Sequence, residues 1–214
     1  ESAPLPLWRR AQPRHIAEAT PVQTGSRPPL PEVSGNLIER AAGTALHRAL
    51  ELLSQVRPLP SRHNDRVHNA VDLILLSVIG DADLRGQVRT RVISDVDRML
   101  ADDTGRWLLG DHPEAASELS LLELDDHGRE SIVDRTFVDQ HGVRWIVDYK
   151  NSRPREGQTK AAFLHDERER YAPQLRSYGA LLRERDASDA SITVHDVRLA
   201  LYFPALQHLE RMEP

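Results

Sequence analysis

Two carboxylates and a lysine stand close together past the middle of the chain. Asp134 sits in Ser-Ile-Val-Asp-Arg, and Asp148 and Lys150 sit in Trp-Ile-Val-Asp-Tyr-Lys. Both acids lie in runs rich in β-branched and aromatic residues, Glu130 to Val138 and Val143 to Lys150, which read as strands. Between them, Gln140-His141-Gly142 is a three-residue loop closed by glycine, the pattern of a type I turn followed by a left-handed residue. That turn pairs Asp139 with Val143 and so sets Asp134 directly opposite Asp148, with Cβ atoms roughly 5 Å apart. Lys150, two residues on, shares their face. The other face pairs Phe137 with Trp145 and Val133 with Tyr149, a predicted core. Arg135 also points that way, which favours a structural role. An earlier strand, Ser117 to Leu124, is joined through Asp126-His127-Gly128, another Gly-closed loop. It pairs Asp125 with Arg129 and puts Glu118 opposite Thr136, diagonal to Asp134 on the shared face.

Directly opposed carboxylates repel each other. A divalent cation is the usual compensation, and oxygen-only donors favour magnesium, manganese or calcium over zinc. Solvent-facing charges on an open sheet are the plainer reading of each acid taken singly. That reading leaves the Asp134–Asp148 pair unexplained, and with it the choice of lysine. Of 28 basic residues 26 are arginine, the exceptions being Lys150 and Lys160. A lysine kept in so arginine-rich a chain points to chemistry that a guanidinium cannot supply.

The elements that must position these residues follow from periodicity. Leu37, Ile38, Ala41, Ala45, Leu46, Ala49, Leu50 and Leu53 recur at helical spacing, with Ser34 as N-cap and Pro58 and Pro60 beyond the end. Further helices are predicted over Asp65–Ile79 and Ala82–Leu100. After the three-strand meander, Asn151 to Lys160 reads as a polar loop and Pro173 to Arg185 as a helix with proline in its first turn. Val194 to Phe203 alternates as a closing strand. The order predicts an α/β sandwich built on a mixed sheet.

Four blocks together resemble the nuclease core of the PD-(D/E)XK superfamily, and within it the RecB/AddA-like branch. They are Gly43-Thr44-Ala45-Leu46-His47, Ile-Val-Asp134-Arg135, Val-Asp148-Tyr149-Lys150, and Gln174-Leu175-Arg176-Ser177-Tyr178. They stand in the family's order over roughly residues 35 to 204. Val133 takes the place of the namesake proline, and the second acid is Asp148 rather than Glu. The resemblance implies a restriction-endonuclease-like core: a mixed central sheet flanked by helices, with an N-terminal helical segment. It also implies that Asp134, Asp148, the Tyr149 carbonyl and His47 hold Mg²⁺ or Mn²⁺. Such a metal would polarise a scissile phosphate and acidify a water, and Lys150 would orient that water or stabilise the developing charge. Glu118 is a candidate for a second metal or a water. Gln174 would hold the hairpin or the substrate, and Tyr178 would contact DNA or simply pack in the core, with Tyr171 extending their face by a turn. His47 alone would read as a surface partner of Glu51; its Gly-Thr context favours a ligand. Arg153, Arg155 and Lys160 could meet phosphates or form a solvated loop.

The implied function is a metal-dependent deoxyribonuclease domain, an exonuclease acting on single-stranded DNA fed by a superfamily-one helicase motor in recombination or repair. Pro4 to Arg10, Pro-Leu-Pro-Leu-Trp-Arg-Arg, resembles the stretch that joins such a motor to its terminal nuclease, and no Gly-x-x-x-x-Gly-Lys loop is present to bind ATP. The rival readings are a nuclease-like module that binds DNA or acts as a scaffold without cutting, and a hydrolase of a non-nucleic substrate.

The bulk numbers agree with one such domain. The chain has 214 residues, a formal net charge of −5, 39% hydrophobic and 29% charged residues, which suits one globular domain with a real core. Residues 1–34 hold seven of the 14 prolines and read as a linker or extension, with 35–214 as the nuclease domain. The absence of cysteine excludes disulfides and iron–sulfur clusters and fits the cytoplasm. Glu1 in place of Met is what a piece of a larger protein would show. The best candidate for a membrane span, Val71 to Ile79, is too short and carries Asp72, and no signal peptide is visible. Weak acidity gives no global argument for nucleic acid, so any such argument must come from a local site.

Overall fold

The structure, a computed structural model, describes residues 31–122 and 130–213. Helix α1 (Pro31–Ser54) starts three residues ahead of Ser34, which therefore does not cap it. Pro31 explains the earlier start, because a first-turn residue needs no N–H donor. The α1 stripe Ala41, Ala42, Ala45, Leu46, Ala49, Leu50 and Leu53 is buried. Helices α2 (Asp65–Val78) and α3 (Ala82–Ala101) match the apolar periods, and the Asn64 and Asp81 side chains cap them by accepting from Val67 and Leu84 amides. Asp102 then caps α4 (Asp103–Leu109), a helix the sequence reading missed; seven residues are too few to display a period.

Five strands form one sheet in the order β1 (Ala116–Leu122), β2 (Glu130–Val138), β3 (Val143–Tyr149), β4 (Asp196–Phe203), β5 (His208–Met212). All neighbours are antiparallel except β3 and β4, which run parallel. The crossover between those two is α5 (Lys160–Ser188). Strand β5 was not anticipated; Pro204 hides it by ending β4 in a short 3₁₀ turn that reverses at Gln207, φ 48°. One face of the sheet, with Phe137, Trp145, Val147, Tyr149, Ala200 and Tyr202, packs on α1 to α4. The other, with Val133, Ile146, Leu199 and Leu201, packs on Phe163, Leu164, Leu175, Tyr178 and Leu182 of α5. The mixed sheet between helical layers is the architecture the sequence predicts.

Three details differ from it. Helix α5 begins at Lys160 rather than Pro173, with the Thr159 hydroxyl accepting from the Ala162 amide. Pro173 is interior, where it costs about 3 kcal/mol; apolar residues buried on both sides of it outweigh that cost. The β2–β3 register is as read, Phe137 across from Trp145, and Gly142 takes φ 72° in the turn. Val133, however, packs in the α5-side cluster with Ile146, while Tyr149 packs in the other. The β1–β2 register is offset by two residues: Ala116 faces Thr136 and Leu122 faces Glu130. A three-residue loop would need Asp125 across from Arg129, and seven residues separate the last described pair. The expected Asp126-His127-Gly128 loop lies outside the described residues. An offset of two moves Glu118 from a diagonal position to one level with Asp134.

Candidate active site

The β2–β3 ladder runs from Val138–Arg144 to Arg135–Val147 and stops one pair short of Asp134 and Asp148. The cause is local. The Asp134 carboxylate accepts the Tyr149 amide at 2.7 Å, in place of a backbone carbonyl. Glu118, level with Asp134 on β1, is likewise absent from its ladder and holds φ 51°. A non-glycine residue there carries strain, and the turned backbone belongs to the residue whose carboxylate joins the cluster.

His47 reaches this opening from α1. Its Nε2 lies 2.9 Å from the Tyr149 carbonyl oxygen. A carbonyl only accepts, so Nε2 carries the proton and Nδ1 is left facing the acids. Nδ1 is 3.5 Å from Asp134 Oδ1 and 4.0 Å from Glu118 Oε1. One donor atom each from His47, Glu118 and Asp134 falls within 4.8 Å of the others. Asp148 is not in that trio. Its buried Oδ2 makes no directed hydrogen bond and pairs with Lys150 Nζ at 2.5 Å.

The electrostatics are those of an anionic hole. Burial first, then the neighbouring Asp148, push the Asp134 carboxyl up to about 8, against the pull of the Tyr149 amide and Lys150. Burial and Asp134 push Glu118 up as well. A trio of this kind, two acids crowded beside an imidazole nitrogen, fits a hard divalent cation. His47, Glu118 and Asp134 could hold one, with Asp148 and the Tyr149 carbonyl beside them.

Helix α5 closes the opposite side. Lys150 Nζ sits 3.5 Å from the centroid of the Tyr171 ring. Gln174 is exposed and donates to the Tyr178 hydroxyl at 2.5 Å. Tyr178 is 6% exposed and packs in the core cluster of α5, so its ring is not presented to solvent. Its hydroxyl is pushed up chiefly by burial. Arg135 is buried and donates to the Leu108 and Gly110 carbonyls and the Ser117 hydroxyl, the structural role read from its face.

The segment after Lys150 is a loop, as its composition predicts, and it is tethered by contacts that the composition does not predict. Asn151 donates to the Glu39 carbonyl of α1, Ser152 to buried Glu167 of α5, and Arg153 to buried Asp95 of α3. Arg153 is thus engaged by a carboxylate. The apolar-poor composition of the segment concealed these tethers; the adjacent lysine was the available signal. A cleft of about 1030 Å³ lies at the other end of β3, over Trp107 and Trp145, and includes none of the residues of the acid cluster.

A mixed five-stranded sheet with helices on both faces is the arrangement of the restriction-endonuclease-like fold, and the acids gather where β2 and β3 part, with a lysine two residues beyond. The family model of the PD-(D/E)XK nuclease superfamily matches residues 24–213, and the chain belongs to that superfamily. No curated protein matches the chain. Among the described residues no helix is long and apolar enough to cross a membrane.

Proposed function

We propose that this domain is a metal-dependent deoxyribonuclease of the RecB/AddA-like branch, degrading single-stranded DNA as an exonuclease beside a helicase motor. The observation that carries the reading is the convergence of His47, Glu118 and Asp134 within 4.8 Å of one another, next to the Asp148–Lys150 pair. The four sequence blocks of the branch supply His47, Asp134, Asp148 with Lys150, and Gln174 with Tyr178.

Mg²⁺ or Mn²⁺ held by His47, Asp134, Asp148 and the Tyr149 carbonyl would supply Lewis-acid polarisation of the phosphate and a more acidic water. The rest falls to the chain itself. Lys150 offers a compact positive charge for the charge that develops on the phosphoryl oxygens. Glu118 adds an acceptor that orders a water or a second ion. Tyr178, buried, holds Gln174 by its side-chain amide, and Gln174 meets the strand. Asp134 and His47 together brace the two peptide groups that flank Tyr149, one through its N–H and the other through its carbonyl, and so set the direction of both Asp148 and Lys150.

The test is cleavage of end-labelled single-stranded DNA by the chain with Mg²⁺, Mn²⁺, Ca²⁺ or chelator. Cleavage is expected with Mg²⁺ or Mn²⁺. Ca²⁺ is expected to support binding with little cutting, because it takes more ligands in looser geometry. Asp148→Ala is expected to abolish cleavage while the fold persists. Cleavage retained by that variant would sink the assignment; DNA bound but never cut would favour the scaffolding reading.

A further inference from the structure

We propose that Tyr171 is the positioning residue of Lys150, holding its ammonium against the ring face whether or not Asp148 is engaged elsewhere. The functional half of this inference rests on the nuclease reading above. Lysine ends in a point charge on a flexible four-carbon stem, so a lysine with a single partner samples many rotamers. Two groups restrain Lys150 here. One is Asp148 Oδ2, at 2.5 Å. The other is the Tyr171 ring, whose centroid is 3.5 Å from Nζ, well inside the range in which a ring quadrupole attracts a cation.

The two restraints differ in kind. Asp148 is also the acid proposed to serve a cation, and a carboxylate shared with a divalent ion holds an ammonium less firmly. The ring has no such second duty. It comes from another element, α5, and is half-buried against the apolar cluster under that helix. Tyr171 stands three residues before Gln174 and seven before Tyr178, on the face of α5 turned to the site. The crossover helix therefore fixes the lysine from outside the strand that bears it. The requirement is for a ring, not a hydroxyl: Phe would serve at 171, and an aliphatic residue would not.

The chain makes the test clean, because Lys150 and Lys160 are its only lysines and Lys160 is exposed at the start of α5. Lysine labelled with ¹³C at Cε gives two NMR signals in the full chain. The Lys150 ε-methylene protons are expected upfield of those of Lys160 by the ring current, with and without Mg²⁺. The displacement is expected to survive in Tyr171→Phe and to vanish in Tyr171→Leu. On labelled single-stranded DNA, Tyr171→Leu is expected to lower kcat roughly tenfold to hundredfold, the scale of a misplaced reacting group, with KM unchanged and Tyr171→Phe near the parent. Coincident lysine signals in the parent overturn the proposal, and that measurement needs no variant to fold. Parental kcat in Tyr171→Leu overturns it also. A parent with the displaced signal that cuts no DNA defeats the nuclease reading and leaves the ring contact supported.

Discussion

Lys150 is confined on two sides, by a carboxylate and by a ring face, in a space that ends in a compact ammonium. A planar guanidinium is wider and carries its charge in a fork. Lys150→Arg is therefore expected to lose roughly a hundredfold or more in cleavage rate, the scale of one lost electrostatic donor, while melting within a few degrees of the parent. Single-turnover cleavage and a melting curve check both halves. Asp134 gives a second expectation. Burial pushes its carboxyl up from an ordinary 3.8 to about 8 in the folded chain. Between those values the folded chain binds more protons than the unfolded one, so in chelator the stability falls as pH rises from about 4 to about 8 and levels off above. Asp134→Asn still accepts the Tyr149 amide and removes the charge. In chelator at pH 8 it is expected to be about 1 kcal/mol or more stabler than the parent, or about 2–4 °C in Tm. The gap is expected to close near pH 4. A variant no stabler than the parent at pH 8 would mean that the acids do not repel.

At the scale of elements, the β2–β3 turn governs the register on which the site depends. Gly142 holds φ 72°, and a Cβ there would lie 2.6 Å from the His195 ring. Gly142→Ala is expected to cost about 1–2 kcal/mol for the left-handed backbone alone, and more for the ring that must move; urea unfolding measures it. This turn was legible in the sequence because Gly closes a loop of set length between two alternating runs. After β1 the same rule gives a register that differs by two residues from the one the described pairs show. The offset was harmless, since Glu118 still joins the acids. Helix α5 was legible only in its second half, because proline at 173 reads as a start when nothing shows that the sheet will bury both sides of it. Strand β5 and α4 were too short for periodicity to reveal. Of the site, the acids, Lys150 and His47 could be read from spacing and motif. The bond from Asp134 to the Tyr149 amide could not, because a side chain that replaces a ladder carbonyl leaves no pattern in the residues themselves.

At the scale of the whole molecule, the sheet and the crossover helix are joined by a buried ion pair. Arg144 of β3 donates through Nε and Nη2 to both oxygens of Asp186 near the end of α5, at 2.8 and 2.7 Å, and is 1% exposed. Asp186→Ala leaves that guanidinium buried without its partner and is expected to cost about 3–5 kcal/mol. Replacing both residues by leucine is expected to recover much of the loss, since apolar substitutes avoid the desolvation of two ions. Thermal melts of the single and double variants decide it; equal losses in the two would show that Arg144 finds other partners.

The parallel pairing of β3 with β4 carries a consequence for how the chain is made. The Lys150 amide donates to the Tyr202 carbonyl, so the strand bearing the acids is completed by one that the ribosome adds much later. His47, Glu118, Asp134, Asp148 and Lys150 all emerge before α5 and β4 exist to enclose them. A nascent chain halted at residue 159 holds the acids without the Tyr171 ring, without Gln174 and without the bond that anchors Lys150. Domains fold as units during synthesis, and in this one the proposed cutting centre forms only once the crossover has returned to the sheet. An unfinished polypeptide of this protein would then lack the proposed centre, which would be completed only when β4 joins the sheet.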